Sequence, residues 1–222
     1  MRLVIFDVDG TLVDSQGDIV ASMTAAFDFA GLAPPDRAAV LAIVGLSLDR
    51  AMFRLSPEVP PEQRDAMVAR YKEAYHDLRV QAGAASSPLY PGVAEVLAEI
   101  RAEPDMMMAV ATGKSRRGLT ALMDNHGWTD VFDSVQVADD HPSKPHPSMI
   151  LTALAETGVA PERAVMIGDT TFDMEMAGAA RIAFIGVSWG YHPPQQLTQA
   201  REIVAVAQDL PAAVDRAIGV SA

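Results

Sequence analysis

The apolar positions of this chain form short continuous runs separated by helical repeats. The runs, which are typical of buried strands, lie at residues 3–6, 106–111, 135–138, 164–167, 182–187 and, more weakly, 203–205. Apolar residues at helical spacing occur at 93–100, 116–125, 147–157 and 171–180 and again beyond Asp209, which we expect to cap the last helix. Strands that alternate with helices in this way predict an α/β fold with a mainly parallel sheet covered on both faces.

Residues 16–86 interrupt the alternation, because they carry helical patterns only. We therefore predict two units, an α/β core of residues 1–15 and 87–222 and an all-helical unit of residues 16–86 inserted after the first strand. The small residues between Gly83 and Pro88 suit a linker at the end of the insertion. In parallel sheets ligands bind beyond the carboxyl ends of the strands, so an insertion at this point can act as a lid.

Two carboxylates follow the first apolar run, Asp7 directly and Asp9 two residues later. Because they are two apart on an extended segment, their side chains share a face. Like charges this close must share a proton, bind a cation or take part in chemistry.

Polar groups also follow the other predicted strands. Thr112-Gly113 follows the second, a loop with Lys144 follows the third, and Gly168-Asp169 opens the segment after the fourth. Carboxylates, a hydroxyl, a lysine and small-residue turns are the groups that phosphoryl transfer requires. Their convergence at one edge of the sheet is the main argument from the residues themselves.

The stretch Asp7-Val8-Asp9-Gly10-Thr11 resembles the first signature of the haloacid dehalogenase superfamily. Thr112 fits its second motif, Lys144 in Ser-Lys-Pro-His-Pro the third, and the segment from Gly168 to Asp173 the fourth. The resemblance spans nearly the whole chain and is greatest to subfamily IA members with a helical C1-type cap, of the phosphoglycolate phosphatase type. It implies a Rossmann-like, doubly wound core with an inserted helical cap.

The resemblance also implies a role for each motif residue. Asp7 would be the nucleophile that forms an aspartyl-phosphate, and Asp9 would be the general acid and then the general base. Mg²⁺ would be held by Asp7, Asp169 and the backbone carbonyl of Asp9, with Asp173 orienting Lys144 or a metal-bound water. The substrate phosphate would be bound by four residues, Gly10, Thr112, Gly113 and Lys144.

For other polar residues near these motifs we expect mainly structural roles, and a few are candidates for substrate contact. We expect Lys114 to be a solvated residue of a first helical turn, and Asp14 and Ser15 to shape the turn into the insertion. His141 and His146 are expected to be loop residues, although His146 could touch the phosphate. The cluster Trp189, Tyr191 and His192 could line the substrate pocket or form an aromatic packing loop. In the insertion, Gly45-Leu46-Ser47, Arg50 and Arg54 are candidates to meet the leaving group.

Composition narrows the class of partner. The 222 residues include 29 acids and 17 bases, a formal net charge of −12, which argues against nucleic acid and anionic membrane surfaces. The chain has no cysteine, so thiolate chemistry is excluded and zinc is a poor alternative to magnesium. No segment approaches the roughly 20 apolar residues of a membrane span, and the start lacks the apolar stretch of a signal peptide. We expect a soluble cytoplasmic protein, a monomer or homodimer, that acts on a small phosphorylated metabolite.

The sequence therefore predicts a Mg²⁺-dependent phosphatase of small phosphate monoesters. A sugar phosphomutase of the same cap class is an alternative, because it would share the chemical residues. A haloacid dehalogenase is less favoured, because that reaction needs neither Asp9 nor Asp169. A non-enzymatic binding module that has kept the fold is a further alternative.

Overall fold

The computed structural model describes residues 1–83 and 86–219 and has a six-stranded parallel sheet at its centre. The strands are β1 (Arg2–Phe6), β2 (Met106–Thr112), β3 (Ser134–Val137), β4 (Ala164–Gly168), β5 (Ala183–Val187) and β6 (Glu202–Val204). Their order is β3-β2-β1-β4-β5-β6. The chain therefore winds outward from β1 on one side, returns, and winds outward on the other. This confirms the predicted doubly wound α/β core.

The first four helices all follow β1 and make up the helical insertion. They are α1 (Gln16–Phe29), α2 (Arg37–Leu41), α3 (Leu48–Leu55) and α4 (Pro61–Ala82). These helices enclose a hydrophobic core of their own, with buried Met23, Met52 and Met67 among its members. Phe172, which belongs to the sheet unit, is buried in the same cluster and so packs the insertion onto the core.

The other five helices lie against the sheet. They are α5 (Val93–Ala102), α6 (Arg116–His126), α7 (Ser148–Thr157), α8 (Thr171–Ala179) and α9 (Leu210–Ile218). Across residues 1–83 and 86–219, no helix combines the length and the apolar character needed to cross a membrane.

Side chains of β1 point alternately to two hydrophobic cores. Val4 and Phe6 belong to one core, with residues of α5, α6 and α9, whereas Leu3 and Ile5 belong to the other, with residues of α7 and α8. All four side chains are fully buried. This period of two, with apolar residues on both faces, explains the uninterrupted apolar run that precedes Asp7.

The chain leaves and re-enters the core through two adjacent segments. Val13 forms an antiparallel bridge with Leu89, and Asp14 N donates to the Pro88 carbonyl at 2.8 Å. The predicted boundaries at 15/16 and 86/87 stay a prediction, and residues 84–85 of the expected linker lie outside the described residues.

α2 ends at Leu41, and residues 42–45 form turns in which Gly45 has a φ of +101°. The expectation that Asp209 caps the last helix was wrong for its side chain. Asp209 does precede α9, yet its side chain makes no capping hydrogen bond. A proline in the first turn of α9 already removes one of the backbone donors that a cap would satisfy.

Candidate active site

The candidate site lies where the central strands end. β1 pairs with β2 on one side and β4 on the other, and Phe6 is in register with both Val110 and Ile167. Asp7, Thr112 and Asp169 therefore reach the same edge of the sheet from three neighbouring strands. This edge also contains the point where the winding direction reverses, which is the usual place for a ligand in such sheets.

Lys144 joins two of the carboxylates. It lies in the loop after β3, and its Nζ is 2.7 Å from Asp7 Oδ1 and 2.6 Å from Asp173 Oδ1, with all three side chains buried. Burial lowers the pKa of Lys144, but the charges of Asp173 and Asp7 outweigh burial and raise the pKa above its ordinary value. The lysine is therefore a buried cation between two acids.

Asp173 also has a structural partner. Its Oδ2 accepts hydrogen bonds from the backbone N of Thr170 at 3.1 Å and from the Thr170 hydroxyl at 2.7 Å. The backbone N of Asp173 donates to Thr170 Oγ1 at 3.2 Å, which completes a capping box at the start of α8. Both oxygens of Asp173 are thus engaged, one by the helix start and one by Lys144. This arrangement fixes the lysine in place beside Asp7.

Asp169 is held from two sides. Thr11 Oγ1 donates to Oδ1 at 3.0 Å, and the backbone N of Tyr191 donates to Oδ2 at 2.7 Å. A Cβ on Gly10, whose φ is +86°, would lie 2.7 Å from Asp169 Cγ, and a Cβ on Gly190 would lie 2.5 Å from the same atom. Both positions therefore require glycine, so that the backbone can approach the carboxylate.

The acids of the site fit a divalent cation. Asp7, Asp169 and Asp173 each place an oxygen within 4.8 Å of the others. Burial raises the pKa of Asp7 to about 7 against the opposing charge of Lys144, and burial with the charges of Asp7 and Asp173 raises the pKa of Asp169 well above its ordinary value. Asp7 Oδ2 is buried and has no hydrogen-bond partner among residues 1–83 and 86–219. Hard carboxylate oxygens of this kind suit a divalent metal ion.

Asp9 is bound by a lysine that we expected to be solvated. Lys114 Nζ lies 2.9 Å from Asp9 Oδ1, and the Ser15 hydroxyl donates to the same oxygen. Lys114 Nζ also donates to Tyr75 Oη in α4 at 3.0 Å, and its side chain is only 9% exposed. The expectation was wrong because Lys114 precedes Ser115, the N-cap of α6, and turns inward toward the insertion. Its place directly after a strand of the site was the available signal.

Thr112 and Gly113 lie directly beneath the insertion. Thr112 is fully buried at the end of β2, and its Oγ1 accepts a hydrogen bond from the backbone N of Lys114 at 3.2 Å. A Cβ on Gly113 would lie 2.6 Å from the Leu46 carbonyl oxygen and 2.7 Å from that of Gly45. Glycine at position 113 thus allows the insertion to approach the site.

The segment after β5 supports the site from behind. Tyr191 Oη accepts a hydrogen bond from Ser15 N at 3.1 Å, and Trp189 Nε1 donates to the Thr11 carbonyl at 3.1 Å. His192 Nδ1 accepts from Thr171 N at 3.2 Å, while its Nε2 lies 3.2 Å from the Ala42 carbonyl. This cluster was expected either to line the substrate pocket or to form an aromatic packing loop. The contacts described here are those of a packing loop that positions its neighbours. The Tyr191 backbone donor and Gly190 were missed, because backbone contacts carry no residue-type signal.

Other residues of the insertion and of the loop after β3 have structural contacts. Ser47 N donates to Ser143 Oγ at 2.8 Å, and the Arg54 guanidinium lies 5.3 Å from the centre of the Phe172 ring. His141 contacts Ser148 Oγ and Gln136 Oε1, each at 2.8 Å, as expected for a loop residue. His146 is exposed and accepts a hydrogen bond from Ser148 N.

Comparisons with known proteins agree on one family. The family described as haloacid dehalogenase-like hydrolase matches residues 4–187. A protein named "Probable phosphatase IndB" from Dickeya dadantii is 38% identical over 92% of this chain and 88% of its own length. A phosphoglycolate phosphatase from Nitrosococcus oceani is 31% identical over 86% of this chain and 85% of its own. A solved structure of a haloacid dehalogenase-like hydrolase from Streptococcus pneumoniae superposes with a TM-score of 0.82 at 25% identity, covering 96% of this chain and 98% of its own.

Proposed function

The chain belongs to the haloacid dehalogenase-like hydrolases and is a phosphoric monoester hydrolase, and from this premise we propose that it works through an aspartyl-phosphate on Asp7 with Mg²⁺. The observation that carries the proposal is the buried cluster of Asp7, Lys144, Asp169 and Asp173. A buried carboxylate with an unsatisfied oxygen costs stability, so its place beside a fixed lysine indicates a functional role.

Asp7 is the proposed nucleophile. Lys144 engages its Oδ1, which leaves Oδ2 to attack the phosphorus of the substrate. The new bond joins Oδ2 to phosphorus as the bond from phosphorus to the leaving oxygen breaks. A carboxylate is a weak nucleophile, so the position of the attacking oxygen and the neutralisation of charge matter most.

Asp9 is the proposed general acid and base. It would give a proton to the leaving oxygen in the first step and take one from the attacking water in the second, which releases phosphate and restores Asp7. Its support is the carboxylate's place two residues beyond Asp7, held by Ser15 and Lys114. Lys114 and Ser15 act as positioning residues in this proposal.

Asp7, Asp169 and the backbone carbonyl of Asp9 are the proposed ligands of the metal. Bound Mg²⁺ would neutralise the anionic carboxylates and the negative charge of the phosphoryl group. Asp173 is better suited to hold Lys144, because both of its oxygens already accept hydrogen bonds. Thr112, the backbone N–H of Gly113, Gly10 and Lys144 are the proposed phosphate-binding groups.

The helical insertion is the proposed lid, with boundaries at residues 16 and 86. Its support is the contact of the Gly45 and Leu46 carbonyls with Gly113, together with the hydrogen bond from Ser47 to Ser143. The phosphoglycolate phosphatase from Nitrosococcus oceani suggests phosphoglycolate as one ester to test. A cytoplasmic location and a monomeric or homodimeric state stay predictions.

Turnover of p-nitrophenyl phosphate with and without Mg²⁺ tests this function, in the wild type and in Asp7→Asn. We expect metal-dependent turnover that Asp7→Asn abolishes. Asp14→Asn is a matched control from the same loop and should keep its activity, since among the described residues the Asp14 side chain accepts hydrogen bonds from Gln16 alone. Metal-independent turnover, or an active Asp7→Asn, would contradict the proposal. Chloride release from 2-chloropropionate would indicate a dehalogenase, and interconversion of hexose phosphates a mutase.

A further inference from the structure

A cavity of about 380 Å³ lies between the sheet unit and the helical insertion. Asp7 and Asp9 line one end of it. The volume is within the range of cavities that bind small organic ligands, about 300 to 1,000 Å³. Since a general acid must touch the leaving oxygen, the part of the substrate released by hydrolysis has to enter the space beside Asp9.

The lining of this cavity is mainly apolar. The aliphatic and thioether side chains that line it include Ile19, Met23, Ile43, Val44 and Val68. Tyr71 and Tyr75 form a further wall, with stacked rings whose centres are 6.0 Å apart at an angle of 23°. Aromatic faces are surfaces that receive flat apolar rings well.

Charges in the cavity are already paired or lie toward solvent. Lys114 is engaged by Asp9 and Tyr75, and the other cationic lining residues, Lys72, Arg79 and Arg117, are exposed or half-exposed. The desolvated part of the cavity therefore offers contact area rather than ion pairs. A leaving group of two carbon atoms would leave most of this area without contacts, and an apolar surface without partner atoms contributes little binding.

We propose that the natural leaving group carries an apolar ring, which packs against Val68 and the two tyrosines while its ester oxygen faces Asp9. The inference rests on the proposed function, and it specifies the substrate class of the same site. The cavity then discriminates among phosphate monoesters by the size and the apolar character of the alcohol.

Benzyl phosphate and ethyl phosphate test this proposal. Both are esters of primary alcohols, so they differ in the ring far more than in the reactivity of the leaving oxygen. We expect kcat/KM for benzyl phosphate to exceed that for ethyl phosphate by about tenfold or more, because apolar contacts of this size are worth that much discrimination.

Val68→Phe fills part of the cavity from α4, and Val80→Phe is its matched control. Val80 lies on the same helix and is 66% exposed. We expect Val68→Phe to lower kcat/KM for benzyl phosphate by about tenfold and to leave ethyl phosphate within about twofold, with neither ester affected in Val80→Phe. Continued turnover of ethyl phosphate shows that the variant is folded.

Two results would overturn the inference while the proposed function stands. One is wild-type turnover of ethyl phosphate as efficient as that of benzyl phosphate, and the other is an equal loss of both esters in Val68→Phe. Lack of Mg²⁺-dependent turnover of any ester, p-nitrophenyl phosphate included, would overturn the proposed function and this inference together.

Discussion

Lys114 Nζ lies 2.9 Å from Asp9 Oδ1, so the segment after β2 supplies a cation to a carboxylate in the segment after β1. The same Nζ donates to Tyr75 Oη of α4 at 3.0 Å. Lys114 thus connects the proposed general acid to the helical insertion through its contact with Tyr75.

Replacing Lys114 should impair the step that depends on Asp9. In Lys114→Met we expect kcat/KM for ethyl phosphate to fall about 10- to 100-fold, because a misplaced general acid loses much of its effect. The loss for p-nitrophenyl phosphate should be clearly smaller, since p-nitrophenolate leaves without a proton whereas ethoxide must receive one. Steady-state kinetics with both esters measures the difference.

Comparing the two leaving groups shows whether Lys114→Met displaces Asp9 or lowers activity in general. Lys114→Arg, which keeps the positive charge, should recover part of the activity toward ethyl phosphate. Arg116→Met removes an exposed cation two residues away and should leave both rates unchanged. Equal losses for the two esters in Lys114→Met would show that Lys114 does not act through Asp9.

Replacing Lys144 should destabilise the protein. Lys144→Met leaves Asp7 and Asp173 buried without their cation, and breaking such a pair costs about 3 to 5 kcal/mol. Urea unfolding at neutral pH without Mg²⁺ measures the free energy of unfolding. Lys72 is exposed, so the control variant Lys72→Met should change the free energy of unfolding by less than about 0.5 kcal/mol.

A double variant identifies the cause of that loss. Adding Asp173→Asn to Lys144→Met removes one of the two unpaired carboxylates, so the double variant should be more stable than Lys144→Met alone. If the double variant instead loses the sum of the two single losses in free energy of unfolding, lost packing rather than unpaired charge explains the effect of Lys144→Met.

The site residues that could be predicted from the sequence are those that lie at or just after the ends of strands. Apolar runs identified β1, β2 and β4, and parallel strands must bring Asp7, Thr112 and Asp169 to one edge. The contact of Lys114 with Asp9 could not be predicted, because it depends on how α4 packs over the sheet. The Tyr191 N–H and Gly190 were beyond reach for a similar reason, since every residue but proline has an N–H and the sequence does not show which one faces Asp169.

Binding of Mg²⁺ should depend on pH. Burial raises the pKa of Asp7 from its ordinary value of 3.8 to about 7. Between these two pH values the metal-free folded protein therefore holds a proton on Asp7 that the unfolded chain has released. The stabilising contribution of that proton is complete below about pH 4 and is lost as the pH rises through about 7. Mg²⁺ competes with the proton, so we expect it to raise the melting temperature more at pH 7.5 than at pH 5.

Thermal unfolding with and without Mg²⁺ at both pH values measures this effect. Asp169→Asn should lose most of the increase at pH 7.5, whereas Asp14→Asn should retain it. An increase in melting temperature of the same size at the two pH values would contradict a metal site built on Asp7.

Gly190→Ala should weaken metal binding by displacing Asp169. A Cβ at this position would overlap Asp169 Cβ and lie 2.5 Å from Asp169 Cγ, so the backbone beside Asp169 must shift and carry the carboxylate with it. Because a metal ligand tolerates little displacement, we expect the Kd for Mg²⁺, measured by calorimetry, to rise about tenfold or more. Gly17→Ala is the matched control, since Gly17 lies in α1 with no atom within 4 Å of the added Cβ. That variant should keep the wild-type Kd and gain about 0.5 to 1 kcal/mol in stability, because alanine favours the helix. An unchanged Kd in Gly190→Ala would show that Asp169 does not need this close backbone approach to hold the ion.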